Sequence, residues 1–176
     1  MPNLQRRPPQ LQTYTLKHQA DGVTPLFICV QKGYLSMVSM LLSAKADANI
    51  VRASDETSPI HVASQKGYAT IVKKLIAKNV TSIETLDRCS LKTNGTAFFA
   101  ACAKSRPLIA QYLASAKADI NKVESRGKLT PLFMAQTLGH THIIRMLEAM
   151  KASVPNYLPN ALVLKEGHPG EEKEEE

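Results

Sequence analysis

Residues 58–68 read Ser-Pro-Ile-His-Val-Ala-Ser-Gln-Lys-Gly-Tyr, and this stretch decides the fold because its pattern recurs along the chain. A serine or threonine can cap the free amide groups at a helix start, and proline fits the first helical position because it has no amide hydrogen to leave unpaired. The same step opens three more segments, of which the last is degenerate: Thr24-Pro25-Leu26, Thr130-Pro131-Leu132 and Thr96-Ala97-Phe98. In chain order the four starts are 34, 38 and 34 residues apart. The sequence is therefore built from repeats.

Each start is followed by a turn signal and then by a second apolar segment. The turns contain Gly33, Gly67 and Gly139, which suit a left-handed connection between antiparallel helices, and Ser105-Arg106 in the remaining repeat. The second segments place apolar residues at i, i+1 and i+4, so each helix has one buried face. Helices this short are not stable alone, and each pair must pack against the next pair in a solenoid.

These residues resemble the ankyrin repeat family, whose pattern runs Gly-x-Thr-Pro-Leu-His-x-Ala, then a Gly-His turn, an apolar helix and a Gly-Ala-Asp-x-Asn closure. The resemblance rests on three stretches, at residues 21–26, 58–63 and 130–135. It implies an all-α solenoid of helix-turn-helix repeats with hairpin loops over residues 19–155. We predict about four repeats, at residues 21–54, 55–92, 93–126 and 127–155.

The segments outside the array have compositions of their own. Residues 1–18 form an N-terminal extension, in which Pro8-Pro9 rules out the helix of a preceding repeat. Residues 156–169 are apolar enough to cover the exposed end of the last repeat, which needs a cap. Residues 170–176 form an acidic tail whose composition predicts disorder. Solubility is the simplest role for this tail, and contact with the basic body is the alternative.

The array departs from the family pattern in two respects. Lysine stands at positions 45, 117 and 151, where the family favours glycine, and a left-handed conformation there costs about 1 kcal/mol per lysine. The second repeat reads Thr81-Ser82-Ile83 in place of an Asp-x-Asn closure, and four extra residues follow in the stretch 84–95. We expect this loop to be the most distinctive part of the molecule.

The motifs argue against an enzyme. The eight glycines form no phosphate-binding loop, and the adjacent carboxylates Asp55-Glu56 lie in a predicted turn. The three cysteines lack a Cys-x-x-Cys pair or a histidine at ligand spacing, so neither a disulfide framework nor a zinc site is indicated. We expect Cys29 to be buried, Cys102 to be half exposed and Cys89 to lie in the long loop. We predict no catalytic residues, no metal site and no cofactor.

The charge of the chain is unevenly distributed. The net charge is +7, which combines +11 over residues 1–164 with −4 over residues 165–176. A basic body attracts anionic surfaces. No stretch approaches the roughly 18–20 apolar residues that cross a bilayer, and the N-terminus lacks the apolar core of a secretory signal. We therefore expect no membrane insertion and an intracellular location, with the cytoplasm favoured and the nucleus as the alternative.

Three lysines share one position in successive repeats, Lys32, Lys66 and Lys104, at the end of each first helix. The resemblance implies that this position lies on the concave binding surface of the solenoid. It also implies further contact positions in the same turns and hairpin tips: Gln31, Gln65, Asp55, Thr57, Arg126, Lys128 and Leu129. The alternative is that these long polar side chains only solvate an exposed turn.

We therefore predict a non-enzymatic protein–protein interaction module, namely an adaptor, scaffold or inhibitor that binds a partner protein through its concave face and hairpin tips. Lysines at the contact point to an acidic partner. One alternative is a targeting subunit or fragment of a larger ankyrin-containing assembly. Nucleic acid is a weaker alternative, because the phenylalanines align with inward positions and leave few rings to stack on bases: Phe27, Phe98, Phe99 and Phe133. The oligomeric state is open, with a monomer favoured.

Overall fold

The computed structural model describes residues 21–77, 80–124, 126 and 128–152. This part of the chain folds into helices joined by turns and contains no strand, so the all-α prediction is confirmed. The predicted N-terminal extension, C-terminal cover segment and acidic tail lie outside the described residues. The helices of the described part are α1 (Pro25–Lys32), α2 (Leu35–Ser43), α3 (Pro59–Lys66), α4 (Ala69–Ile76), α5 (Ile83–Leu86), α6 (Ala97–Ala103), α7 (Pro107–Ser115), α8 (Pro131–Thr137) and α9 (Thr141–Ala149).

The first helix of each pair begins at the cap that the sequence predicts. The cap hydroxyl accepts a hydrogen bond from the amide three residues later, at 3.1 Å from Phe27 to Thr24, 3.3 Å from His61 to Ser58, 3.1 Å from Phe99 to Thr96 and 3.2 Å from Phe133 to Thr130. Each such cap contributes about 1 kcal/mol to helix stability. Proline occupies the first position of α1, α3 and α8, where it removes no helical hydrogen bond.

The helices form two layers. The first helices α1, α3, α6 and α8 pack on one another in sequence order, and the second helices α2, α4, α7 and α9 do the same behind them. Each first helix also contacts the second helix of its own pair. The pairs thus stack as a solenoid, in which every pair contacts only its neighbours along the chain.

The core runs continuously between the two layers. Its largest side chains in the first helices are fully buried at equivalent positions, as Leu26, Ile60 and Phe98 show. The second helices contribute a leucine at one equivalent position in the last three pairs, namely Leu75, Leu113 and Leu147. Each fully buried side chain of this size stabilises the fold by about 1.5–3 kcal/mol. Burial is therefore spread over all four pairs.

The turns within the pairs adopt the left-handed conformation that the glycines predict. The φ angles are +79° at Gly33, +87° at Gly67 and +68° at Gly139, and Ser105 takes the same conformation with φ +52° in the third pair. A non-glycine residue pays a steric penalty there. The lysines after the second helices also have positive φ, at +58° for Lys45, +66° for Lys117 and +56° for Lys151. The prediction of left-handed lysines is therefore confirmed at these three positions.

The four extra residues of the second repeat form a helical turn, α5. Asn49 Oδ1 accepts a hydrogen bond of 2.8 Å from the amide of Ser82, and Asp87 Oδ1 accepts one of 2.8 Å from the amide of Asp119. Asp87 therefore does in the second repeat what Asn49 does in the first. The sequence predicts four extra residues in the stretch 84–95 and no Asp-x-Asn closure in this repeat. The structure places the extra residues at Ile83–Leu86, at the start of that stretch, and Asp87 supplies the acceptor in place of the missing closure.

Candidate functional site

The lysine register lies along the edge of the first-helix layer. Lys32 ends α1, Lys66 ends α3 and Lys104 follows the last residue of α6, and all three side chains are exposed. Because α1, α3 and α6 pack side by side, the stacking places the lysines on successive repeats of one surface. Gln31 and Gln65, one residue earlier, are partly exposed. The fold thus brings these five predicted contact residues to the same edge.

Three hairpins with matching hydrogen bonds connect the helix pairs. The bonds run from the amide of Arg52 to the carbonyl of Thr57 at 2.9 Å, from Ser90 to Gly95 at 3.1 Å and from Glu124 to Leu129 at 2.9 Å. The first and second hairpins are also joined, because the amide of Leu91 donates to the carbonyl of Asp55 at 2.8 Å. Each hairpin therefore leads into the next first helix, and the first two hairpins are bonded to each other.

Asp55 is held inside its own hairpin. Arg52 binds it through both Nε and Nη2, with Nε at 2.9 Å from Oδ1, and the amide of Thr57 donates to Oδ1 at 3.1 Å. Burial alone would raise the pKa of this carboxyl, but the hydrogen bonds from Arg52 and Thr57 outweigh burial and lower the pKa to about 2. Asp55 is therefore a structural anion, and Arg52 balances its charge. Its predicted contact with a partner stays a prediction.

Thr57 lies inside the array. Only 4% of the residue is exposed, and its hydroxyl is 2.7 Å from the hydroxyl of Ser90 in the next hairpin. The following hairpin covers the side chain, so burial does not support the prediction that Thr57 touches a partner. The predicted contact residues of the third hairpin differ, since Arg126 and Lys128 are exposed and Leu129 is partly exposed. Partner contact at those three positions stays a prediction.

A small polar pocket lies where the lysine register meets the first two hairpins. Its volume is about 150 Å³. It is lined by Gln31, Arg52, Thr57, His61, Val62, Gln65, Lys66, Ser90, Lys92 and Thr93. Four of these residues were predicted as contacts, and no comparable sequence signal points to Arg52, Lys92 or Thr93. Lys92 and Thr93 lie beyond the insertion, and only the folded hairpin brings them beside the helix ends.

His61 joins the second helix pair to the next hairpin. Its side chain is 1% exposed, and Nε2 lies 2.9 Å from the hydroxyl of Thr93. Burial lowers the pKa of His61 to about 4, although the negative charge of Asp55 acts in the opposite direction, so the ring is neutral at pH 7. Nδ1 has no hydrogen-bond partner among the described residues, which costs about 1–3 kcal/mol for a buried polar atom. His61 is therefore structural and incompletely satisfied.

The cysteines differ from expectation at one position. Cys29 is buried, as predicted, and burial raises its pKa. Cys102 was expected to be half exposed, but its exposed fraction is 0%, and burial raises its pKa to about 12. The equivalent residues Val30 and Ser64 are also buried, whereas Gln136 in the last pair is exposed. The position therefore faces the following repeat, and this packing keeps the Cys102 thiol protonated and unreactive.

The described residues offer no group for metal chemistry and no helix for a membrane. Within residues 21–152, apart from the four positions that the structure does not describe, no three His, Cys, Asp or Glu side chains come together as metal ligands. None of the described helices is long and apolar enough to span a bilayer.

The comparisons with known proteins identify the repeat. A family model for ankyrin repeats, covering three copies, matches residues 9–87 and 60–157, which together are most of the chain. The match includes all four helix pairs and the hairpins between them. No curated protein matched the chain.

Proposed function

The chain belongs to the ankyrin repeat family, whose repeats generally mediate protein–protein interaction, and we propose that this array is an adaptor, scaffold or inhibitor of an acidic partner protein. The observation that carries the proposal is the lysine register, in which Lys32, Lys66 and Lys104 project from one edge of three stacked repeats. Proteins of this family are typically not enzymes. Binding through the register and the hairpin tips uses the surface that stacking leaves free.

The charges around the register support an acidic partner. The chain carries a net charge of +7, and the described residues form two ion pairs with one another, Arg52–Asp55 and Arg88–Glu56. Neither pair involves a lysine of the register. A row of cations that forms no ion pair with the described residues raises the association rate of an acidic partner and makes that rate depend on salt. The partner proposed here is therefore a protein with an acidic contact surface.

Nucleic acid fits the surface less well. Single-stranded nucleic acid is bound by cationic grooves together with exposed aromatic rings on which the bases stack. The four phenylalanines are all buried in the core. Among the described residues, Tyr34 is 54% exposed and lies two residues after Lys32, but one ring does not make the series on which successive bases stack, so the surface supports a protein partner over a nucleic acid. A targeting role within a larger ankyrin-containing assembly is compatible with the same surface and differs only in what the array is joined to.

The test is affinity capture from a lysate of the source cells, with and without nuclease. The wild-type chain is compared with a variant carrying Lys32→Glu, Lys66→Glu and Lys104→Glu. A matched control carries Lys73→Glu, Lys74→Glu and Lys122→Glu, which reverse the same number of charges at exposed positions outside the register. All three proteins first pass a circular dichroism check, since binding is compared only between folded chains.

The expected result is a partner that nuclease treatment leaves bound, that the control variant retains and that the register variant loses by at least tenfold. Equal retention by both variants would assign binding to another surface and overturn the proposal. Equal loss in both variants would show attraction to net charge alone. Loss of the captured material after nuclease treatment would support nucleic-acid binding instead.

A further inference from the structure

The polar pocket draws its walls from three successive parts of the array. Gln31 comes from α1, Gln65 and Lys66 come from α3, and Lys92 comes from the hairpin that leads into α6. Ligand sites for drug-sized molecules usually enclose about 300–1,000 Å³. At about 150 Å³, this pocket accommodates one side chain rather than a cofactor.

The charges that line the pocket are all positive. Arg52, Lys66 and Lys92 line it, and no acidic side chain of the described residues does. Lys66 and Lys92 form no ion pair with another described residue. The nearby Asp55 is already bound by Arg52 and by the amide of Thr57. The pocket therefore favours an anionic group.

Arg52 is fixed in place before any ligand arrives. Its guanidinium lies 5.2 Å from the centre of the Phe27 ring, and its side chain is 18% exposed. The bonds to Asp55 use Nε and Nη2. A guanidinium has five N–H donors, so Arg52 keeps donors on Nη1 for a second anion. A fixed donor loses little side-chain entropy when it binds.

His61 also lines the pocket, and its ring is held by the neighbouring hairpin. The residue lines the pocket and is 1% exposed, and its Nδ1 has no hydrogen-bond partner among the described residues. When Thr93 donates its hydroxyl hydrogen to Nε2, the neutral ring carries its own hydrogen on Nδ1. Nδ1 is itself buried, so His61 shapes the wall of the pocket, and the cations supply the contacts with a ligand.

We propose that the polar pocket, lined by Arg52, Lys66, Lys92 and His61, receives one carboxylate side chain, a glutamate or an aspartate, of the acidic partner protein. The inference rests on the proposed function and adds an anchor point to it. The lysine register then attracts the acidic surface as a whole, and the pocket fixes one residue of that surface.

The first test uses a ligand of known structure. The full chain, labelled with ¹⁵N, is titrated with N-acetyl-glutamate amide and, separately, with the neutral N-acetyl-glutamine amide. The expected result is saturable shifts of the amides of His61, Lys92 and Thr93 with the glutamate probe alone, at millimolar concentrations because a single side chain contributes little affinity. Three results would overturn the proposal. They are equal shifts with both probes, shifts spread over all exposed lysines, and no shifts at probe concentrations up to about 100 mM, which is 100-fold above the millimolar range.

The second test separates the pocket from the lysine register. Lys92→Gln removes a pocket charge outside the register, and Lys122→Gln is the control at an exposed lysine away from the pocket. Lys92→Gln should weaken the glutamate probe and the captured partner at least fivefold, whereas Lys122→Gln should change neither. If Lys92→Gln changes neither while the register variant loses the partner, the pocket proposal fails and the proposed function stands. If Lys92→Gln weakens the probe but neither variant affects capture, the proposed function fails.

Discussion

The first and second helix pairs have nearly the same pattern but different surroundings. Ile28 in α1 is 41% exposed, whereas its equivalent Val62 in α3 is 6% exposed. Met37 in α2 is 50% exposed, and its equivalent Ile71 in α4 is 3% exposed. The second pair has α1 and α2 packed against this side, and no described element packs against the same side of the first pair. Burial at these positions is therefore a property of stacking and not of the repeat itself.

The two pairs also differ in what they bury beside the hairpins. Phe27 in the first pair and His61 in the second occupy equivalent positions, and both are 1% exposed. The phenylalanine ring lies against the Arg52 guanidinium, whereas the histidine bonds to Thr93 of the following hairpin. One repeat is thus held to its hairpin by a cation–π contact and the other by a hydrogen bond that depends on the protonation state of His61.

The largest effect should come from truncating the equivalent residues of α2 and α4. Ile71→Ala should lower the free energy of unfolding by about 2–5 kcal/mol, because it leaves a cavity between two pairs. Met37→Ala should cost less than about 1 kcal/mol, since the side chain is half exposed. Urea unfolding followed by circular dichroism measures both. Equal losses would mean that the outer side of the first pair is covered in solution.

The free energy of unfolding should depend on pH through His61, whereas Phe27 at the equivalent position has no group that titrates. Burial lowers the pKa of His61 to about 4 from its ordinary 6.5, so its contribution is complete above pH 6.5 and is lost as the pH falls towards 4. Wild type should lose on the order of 3 kcal/mol between pH 7 and pH 4. His61→Phe, which restores the residue of the first pair, should flatten this part of the profile. An unchanged slope in His61→Phe would assign the loss to other groups.

The contribution of Asp55 falls in a separate pH window. Its folded-state pKa of about 2 lies below the ordinary value of 3.8, so its stabilisation is present above pH 3.8 and is lost as the pH falls through 2. Unfolding measured at pH 7, 5 and 4 therefore reports mainly on His61 and leaves the Arg52–Asp55 pair intact. This separation makes the comparison of wild type with His61→Phe a clean one.

The smallest effect should distinguish the glycine turns of the two pairs. An added Cβ at Gly33 would lie 2.9 Å from the Tyr68 ring, and one at Gly67 would lie 2.9 Å from the guanidinium of Arg106, an exposed side chain that can move away. Both alanine variants pay about 1–2 kcal/mol for positive φ, and Gly33→Ala should cost about 1 kcal/mol more. Gly139→Ala, with nothing within 4 Å of the new atom, gives the backbone cost alone. Equal losses at all three positions would remove the Tyr68 clash from the explanation.

Much of the fold could be predicted because its signals are local. A hydroxyl cap marks all four helix starts and a proline follows it at three of them, while glycine marks three of the four turns. The third turn, at Ser105-Arg106, was found from its place in the repeat. The insertion was predicted only to within the stretch 84–95, because a hydrogen bond between repeats, from the amide of Asp119 to Asp87, decides that it lies at 83–86. The predicted exposure of Cys102 was wrong for a similar reason, since the next repeat covers this side chain.

The candidate site, like the fold, could be predicted only in part. The lysine register was predicted because one position recurs at the repeat spacing, and the exposure of Lys32, Lys66 and Lys104 agrees with it. Arg52, Lys92 and the unpaired Nδ1 of His61 were not predicted. These groups come from different repeats, and no spacing in the sequence relates them. Binding at any of these positions stays a prediction until the variants are measured.

The sequence by itself determined the repeat, its helix boundaries, its left-handed turns and the recurrence of a lysine at the end of three first helices, because these depend on residues within one turn of each other. Only the tertiary structure decided which faces are covered, where the insertion lies and which cations line the polar pocket. The physical reason is that burial and electrostatic environment depend on neighbours in space, and in a stacked array those neighbours lie about one repeat away along the chain.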